Sequence, residues 1–192
     1  MAKQNKSLFL VLVLILAVFT NAAIGQILDK NLEILEPLVN KNWVGYLKAL
    51  DSEKMIELPR RWDVIWDGKA IKFSSYVEDL NNFSEGYLYW DPGKKEIAVF
   101  RINNKGTITH GHVKKEEGKI LMYGQITFSD RTMEFRNTFE ITDDGKLIDR
   151  WFRFEEGEWK AGHVVELKIS DTGFLPDRRQ HPSDIQVSSH HR

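Results

Sequence analysis

The sequence predicts an all-β protein, a ten-stranded antiparallel up-and-down β-barrel preceded by a short N-terminal helical segment, and three observations carry that prediction. From Asn42 onward the apolar residues recur with a period of two, and this pattern persists for about 125 residues. Ten strand-like runs can be marked off within it, each bounded by turn residues. Nearly every connection is too short for a crossover helix, so neighbouring strands must be antiparallel and a parallel α/β sheet is excluded.

Residues 1–25 read as a secretory signal peptide. Lys3 and Lys6 form a basic start, residues 8–19 are uninterrupted apolar sequence, and Ala23-Ile24-Gly25 supplies small residues for cleavage before Gln26. The apolar run is shorter than the ~20 residues a membrane-spanning helix needs, and Thr20-Asn21 ends it with polar groups. The chain is therefore expected in the periplasm or secreted, with no transmembrane span after cleavage. Leu28, Leu32, Leu35 and Val39 follow at helical spacing, and Pro37 limits the helix to a short one.

The first strand-like run is 43–50. The second (60–66) and third (70–77) meet across Asp67-Gly68, a strong hairpin signal. The fourth (86–90) and fifth (96–102) are joined by Asp91-Pro92-Gly93-Lys94, whose Pro and Gly each suit a turn dihedral. The sixth (107–113) passes through 114–119 into the seventh (120–128), and Ser129-Asp130 leads to the eighth (131–141). Asp143-Asp144-Gly145 connects to the ninth (147–154), and Glu155-Glu156-Gly157 to the tenth (159–168). An open sheet of ten such strands would expose two bare edges, and closure removes them. A two-sheet sandwich is the competing architecture, but its Greek-key connections are longer than these hairpins. The barrel domain is placed at 26–169, and 170–192, polar and carrying Pro176 and Pro182, reads as a disordered tail.

Composition narrows the function. The 27 Lys and Arg nearly balance the 28 Asp and Glu, which argues against a nucleic-acid partner. The absence of cysteine excludes disulfides, iron–sulfur clusters, thiolate zinc sites and a cysteine nucleophile. No Gly-x-Ser-x-Gly elbow occurs, and the glycines fall at hairpins instead of in a phosphate-cradling loop. The paired carboxylates Glu116-Glu117, Asp143-Asp144 and Glu155-Glu156 lie in turns and read as solvated hairpin tips.

The lead-in Leu35-Glu36-Pro37-Leu38-Val39, the Trp43-Val44-Gly45 that opens the first strand, Tyr89-Trp90-Asp91 at the end of the fourth and the recurring hairpins up to Trp159 resemble the calycin superfamily. The likeness is to lipocalin and fatty-acid-binding-protein barrels, and more closely to bacterial secreted calycin-like domains whose function is uncharacterised. It covers residues 32–169. The lipocalin opening motif is Gly-x-Trp, and Lys41 stands at the Gly position here, so half of the motif is present. The resemblance implies a small, mostly apolar molecule bound inside the barrel, with haem in some members. It also implies a basic residue from a late strand closing the barrel over Trp43, for which Arg150 and Arg153 are the candidates.

Splitting each strand into two faces points to the interior. Trp62, Val64 and Trp66 share the apolar face of the second run, and Phe73 lies on that of the third. In the eighth, Met133, Phe135 and Phe139 share a face with Asn137. In the ninth, Ile148, Phe152 and Phe154 share one with Arg150, and in the tenth Trp159, Ala161, Val165 and Leu167 share one with His163. Buried polar groups need a protein or ligand partner. Trp62, Trp66, Phe73, Phe135, Phe139 and Phe152 are therefore expected to line a cavity, with Asn137, Arg150 and His163 orienting a small apolar or amphipathic ligand. A haem- or metal-dependent enzyme using His163, or His110 and His112, is an alternative, since His110-Gly111-His112 puts two imidazoles on one face of a strand. A barrel with a filled interior that binds a partner protein through its outside is a third reading.

Overall fold

The computed structural model describes residues 27–48 and 53–171. The expected signal peptide, the end of the first strand-like run and nearly all of the expected tail lie outside these residues. Ten strands form: β1 (Asn42–Lys48), β2 (Met55–Ile65), β3 (Ala70–Val77), β4 (Asn82–Asp91), β5 (Glu96–Asn103), β6 (Ile108–Glu116), β7 (Lys119–Thr127), β8 (Thr132–Ile141), β9 (Leu147–Glu155) and β10 (Glu158–Ile169). Each pairs antiparallel with its sequence neighbours, and β10 pairs with β1, so the sheet closes into the up-and-down barrel the hairpins predict. At the seam Trp43 lies opposite Ile169 and Gly45 opposite Leu167. A Cβ on Gly45 would stand 2.5 Å from the Glu166 carbonyl oxygen, so this close approach needs glycine.

The predicted helical segment is a 3-10 helix over Lys30–Leu35, capped by the Asp29 carboxylate, which accepts the Asn31 N–H at 2.9 Å. Its apolar face supplies Leu32 and Leu35, and with Leu38 they plug one end of the barrel in the cluster that includes Trp43, Ile71, Leu147 and Leu167. The Asp29 N–H donates to the Gly68 carbonyl at 3.0 Å and the Asn40 N–H to that of Trp62 at 2.7 Å, strapping the plug to the end of β2. The Trp43 indole N–H donates to the Leu38 carbonyl at 3.0 Å. The cation beside the Trp43 ring is Lys41, 5.7 Å from its centroid. This corrects the expectation of a late-strand arginine: Arg150 pairs with Glu140, and Arg153 with Glu155 toward the opposite end of the barrel.

Several elements depart from the pattern reading: β4 begins at Asn82, four residues early, β6 runs on to Glu116, and the departures in β2, β9 and β10 bear on the interior. β2 begins at Met55, five residues early, and runs straight through Pro59, which lies opposite Val44. Pro59 has no N–H to give the ladder, but its carbonyl accepts the Ser75 hydroxyl at 2.7 Å from β3. β2 also ends at Ile65, because Trp66 and Asp67 take left-handed φ angles of 51° and 52°. In β9 the faces are exchanged: Leu147 and Asp149 are buried, while Arg150 and Phe152 belong to the outer face. In β10 a bulge between Ala161 and Val164 switches the parity, so His163 faces inward with Val165 and Leu167 while Trp159 packs outside on Phe154, ring centroids 5.2 Å apart. Among the described residues no helix is long and apolar enough to cross a membrane.

Candidate functional site

Beyond the plug the barrel interior is not filled. A cavity of about 290 Å³ begins at Trp62, whose ring packs tilted on Phe73 at 5.3 Å and edge-on to Phe139 at 6.1 Å. Val99, Met122, Ile126 and Phe135 form much of its apolar wall, and it extends to Asn103, Thr107 and Phe128 at the end away from the plug. A second lobe of about 210 Å³ shares Arg60, Phe73, Arg101, Asn103 and Thr107 with the first. Its remaining wall mixes Leu58 and Val77 with the polar side chains of Ser75, Asn82, Ser84 and Thr109.

A buried carboxylate sits beneath the first lobe. Asp149 has no exposed surface, and its two oxygens are taken by different partners: Oδ2 by Arg60 Nη1 and Oδ1 by the Asn137 amide. His163 Nε2 stands 3.6 Å from Oδ2, and its ring stacks on Trp151 with centroids 5.7 Å apart and planes 12° from parallel. That stack requires Gly162, where a Cβ would lie 2.1 Å from Trp151 Cε3. Burial alone would raise the Asp149 pKa; the Arg60 charge, His163 and the Asn137 amide outweigh it and hold the group at about 2. The carboxylate is thus ionised and neutralises Arg60.

Arg101 on β5 is the second guanidinium of the lumen. It lies 5.5 Å over the Phe73 ring and donates to the Thr109 hydroxyl at 3.4 Å. Among the described residues no carboxylate pairs with it. Burial, and then the neighbouring positive charge of Arg60, push its pKa down to about 10, so it remains a cation at neutral pH.

The structure brings Trp62, Phe73, Phe135, Asn137, Phe139 and His163 together on the cavity wall. It removes three residues expected there. Trp66 is 67% exposed in the β2–β3 turn and stacks on Tyr87 at 5.8 Å, because the left-handed turn has already carried it off the strand face. Arg150 donates to Glu140 on the barrel exterior at 2.9 Å, and Phe152 lies opposite Arg136 and Ala161 on the same outer face. Their strand turns Asp149 and Trp151 inward and Arg150 and Phe152 outward, so each face mixes a charged and an aromatic residue. Arg60, Arg101, Asp149 and Trp151 were missed. For Arg60 the signal was present, since it shares parity with Trp62 and Val64; for Asp149 it was concealed by the exchange of faces.

The histidine pair of β6 does not meet His163. His110 packs on Phe100 at 5.1 Å, and His112 Nδ1 stands 3.0 Å from a Glu96 carboxylate oxygen, both on the barrel exterior, whereas His163 faces the lumen. Among the described residues no group of three His, Cys, Asp or Glu side chains is placed to hold a metal ion. The haem alternative keeps its residue inside, but the His163 ring is already stacked on Trp151 and directed at Asp149.

The closed antiparallel barrel agrees with the fold that the calycin resemblance implies. No family model matches the chain, and no curated protein matches it.

Proposed function

We propose that this protein binds a small amphipathic molecule inside its barrel and does so outside the cytoplasm, in the periplasm or beyond, after export by the leader at 1–25. The observation that carries the reading is the unfilled lumen. Protein interiors ordinarily pack without such voids, and a space of about 290 Å³ is near the lower bound of small-molecule sites, roughly 300 Å³. Its lining has the usual division of labour for such a site, with apolar and aromatic side chains for the bulk of a ligand and a few polar groups to orient it. The calycin resemblance favours the same reading by analogy.

Native mass spectrometry of the protein recovered from a secreting bacterial host tests both halves. A discrete excess mass that disappears on denaturation is expected, along with an N-terminus at Gln26. A native mass equal to the denatured one, with no saturable change in tryptophan fluorescence on adding apolar or amphipathic probes, would overturn lumenal binding. An intact Met1 N-terminus on cell-associated protein would overturn export.

A further inference from the structure

Trp66 is held at two costs. It is 67% exposed, and its φ of 51° is followed by one of 52° at Asp67. The turn between β2 and β3 needs left-handed residues, which glycine and asparagine supply freely and a large side chain does not. Core burial offsets neither cost, because the indole lies outside the barrel and stacks on Tyr87 with planes 8° from parallel. The stack uses one face of the indole and leaves the other to solvent. Backbone strain kept without a return in core packing points to a functional role.

Tyr87 in turn belongs to a row that crosses the barrel exterior. Lys72, Tyr87, Phe100, His110 and Gln125 stand opposite one another on successive strands from β3 to β7. Neighbouring strands lie about 4.8 Å apart, so these side chains form a continuous track across the sheet. The Phe100 and His110 rings meet at 5.1 Å. Polar groups flank both sides of the track. Glu85, two residues before Tyr87 on β4, pairs with the Lys72 ammonium at 2.9 Å, and on the other side His112 stands 3.0 Å from Glu96.

These flanking groups decide the class of ligand. A lipid or an apolar protein face laid over the rings would also cover the Lys72–Glu85 pair and withdraw it from water without replacing its hydrogen bonds. A sugar ring does not have that defect: its C–H face stacks on an aromatic ring while its hydroxyl rim donates and accepts. The exposed Gln125 amide offers a donor and an acceptor at the far end of the row. We propose that this row binds a linear, neutral oligosaccharide of gluco-configured pyranose rings, with one sugar on the open face of Trp66 and the following ones along the row toward Gln125. The gluco configuration keeps the hydroxyls equatorial and leaves both faces free to stack. Because Glu85 neutralises Lys72, the ligand needs no charge of its own. The track lies outside the barrel, so the inference stands or falls separately from lumenal binding.

Isothermal titration calorimetry of the full chain with cellopentaose, cellobiose and β-1,4-galactopentaose is the test. Cellopentaose is expected to bind roughly tenfold more tightly than cellobiose, the worth of one further aromatic contact at its upper end, and more tightly than galactopentaose, whose axial hydroxyls spoil one face of each ring. Trp66→Ala should lower cellopentaose affinity by roughly tenfold, and Trp66→Phe should restore most of it. Absence of heat with cellopentaose at millimolar concentration overturns the inference, as does an affinity that Trp66→Ala leaves unchanged. Equal binding of cellopentaose and galactopentaose overturns the gluco preference. Sedimentation with phosphatidylcholine vesicles in the absence of cellopentaose binding assigns the row to a lipid surface and overturns the sugar. Thermal melts separate lost binding from lost folding. Should Trp66→Ala unfold, Trp66→Gly, which suits the left-handed backbone, takes its place. Should both unfold, the comparison of the two pentaoses on the unaltered chain decides.

Discussion

The Arg60 guanidinium and the Asp149 carboxylate meet inside the barrel from strands that do not touch each other: β2 and β9 are separated by β1 and β10, and the two residues stand 89 positions apart in sequence. The pair spans the closing seam from within. It is also largely withdrawn from water, with the arginine side chain 12% exposed and the aspartate fully buried.

Removing one member of this pair should be worse than removing both. Arg60→Met leaves a buried carboxylate without its cation and is expected to destabilise the fold by about 3–5 kcal/mol. The double variant Arg60→Met, Asp149→Leu should lose less than the single one, because no charge is stranded. Urea denaturation of the four members of the cycle measures this, and strictly additive losses would mean that the pair is not coupled.

Stability should fall in acid through a window set by Asp149. Its pKa is held at about 2, below the ordinary value of 3.8 that the unfolded chain restores, so the folded state favours the ionised form. The resulting stabilisation, about 2 kcal/mol, is complete above pH 4 and disappears as pH falls toward 2. Comparing urea midpoints of the unaltered protein and Asp149→Asn between pH 6 and 2 isolates the effect. The variant should lack that share of the acid slope; identical slopes would contradict the assignment.

Gly162→Ala should disturb the lumen from the back. The new methyl would overlap the Trp151 ring, which stacks on His163, so the ring must move or the β10 bulge must shift. Overpacking of this kind destabilises by about 1–3 kcal/mol. A lowered melting temperature with altered tryptophan emission is expected, and an unchanged emission spectrum would argue that the stack is unaffected.

Two tryptophans four residues apart should respond in opposite ways. Trp62 is 2% exposed, at the junction with Phe73 and Phe139, and Trp62→Ala is expected to lose about 3–5 kcal/mol. Trp66 stacks on Tyr87 outside the barrel, and Trp66→Ala should change stability by no more than about 1.5 kcal/mol. Denaturation of both variants checks the difference. A large loss at Trp66 would place it in the core after all.

Much of the fold was legible because hairpin chemistry is local. Asp67-Gly68, Asp91-Pro92-Gly93-Lys94 and Glu155-Glu156-Gly157 mark real turns, and period two between them marks real strands. β2 was read too short because Pro59 is a poor ladder residue, and nothing adjacent to it in the chain reveals that Ser75 engages its carbonyl. The site was legible in its apolar wall and in Asn137 and His163, but not in its ion pair. Trp62, Phe73, Phe135 and Phe139 follow from alternation, whereas Arg150 and Phe152 mislead because each face of their strand mixes a charged and an aromatic residue.

The sequence by itself determined the class of fold and the number and direction of its strands, since short connections between alternating runs leave antiparallel neighbours as the only outcome. It also placed most of the aromatic wall. Tertiary structure alone decided which charged groups meet in the lumen. The fully buried Asp149 carboxylate is held inward by a cation that comes to meet it, and Arg60 reaches Asp149 only because β10 closes on β1. That same pairing leaves Arg101 without a carboxylate partner among the described residues, a consequence of geometry that no local pattern contains.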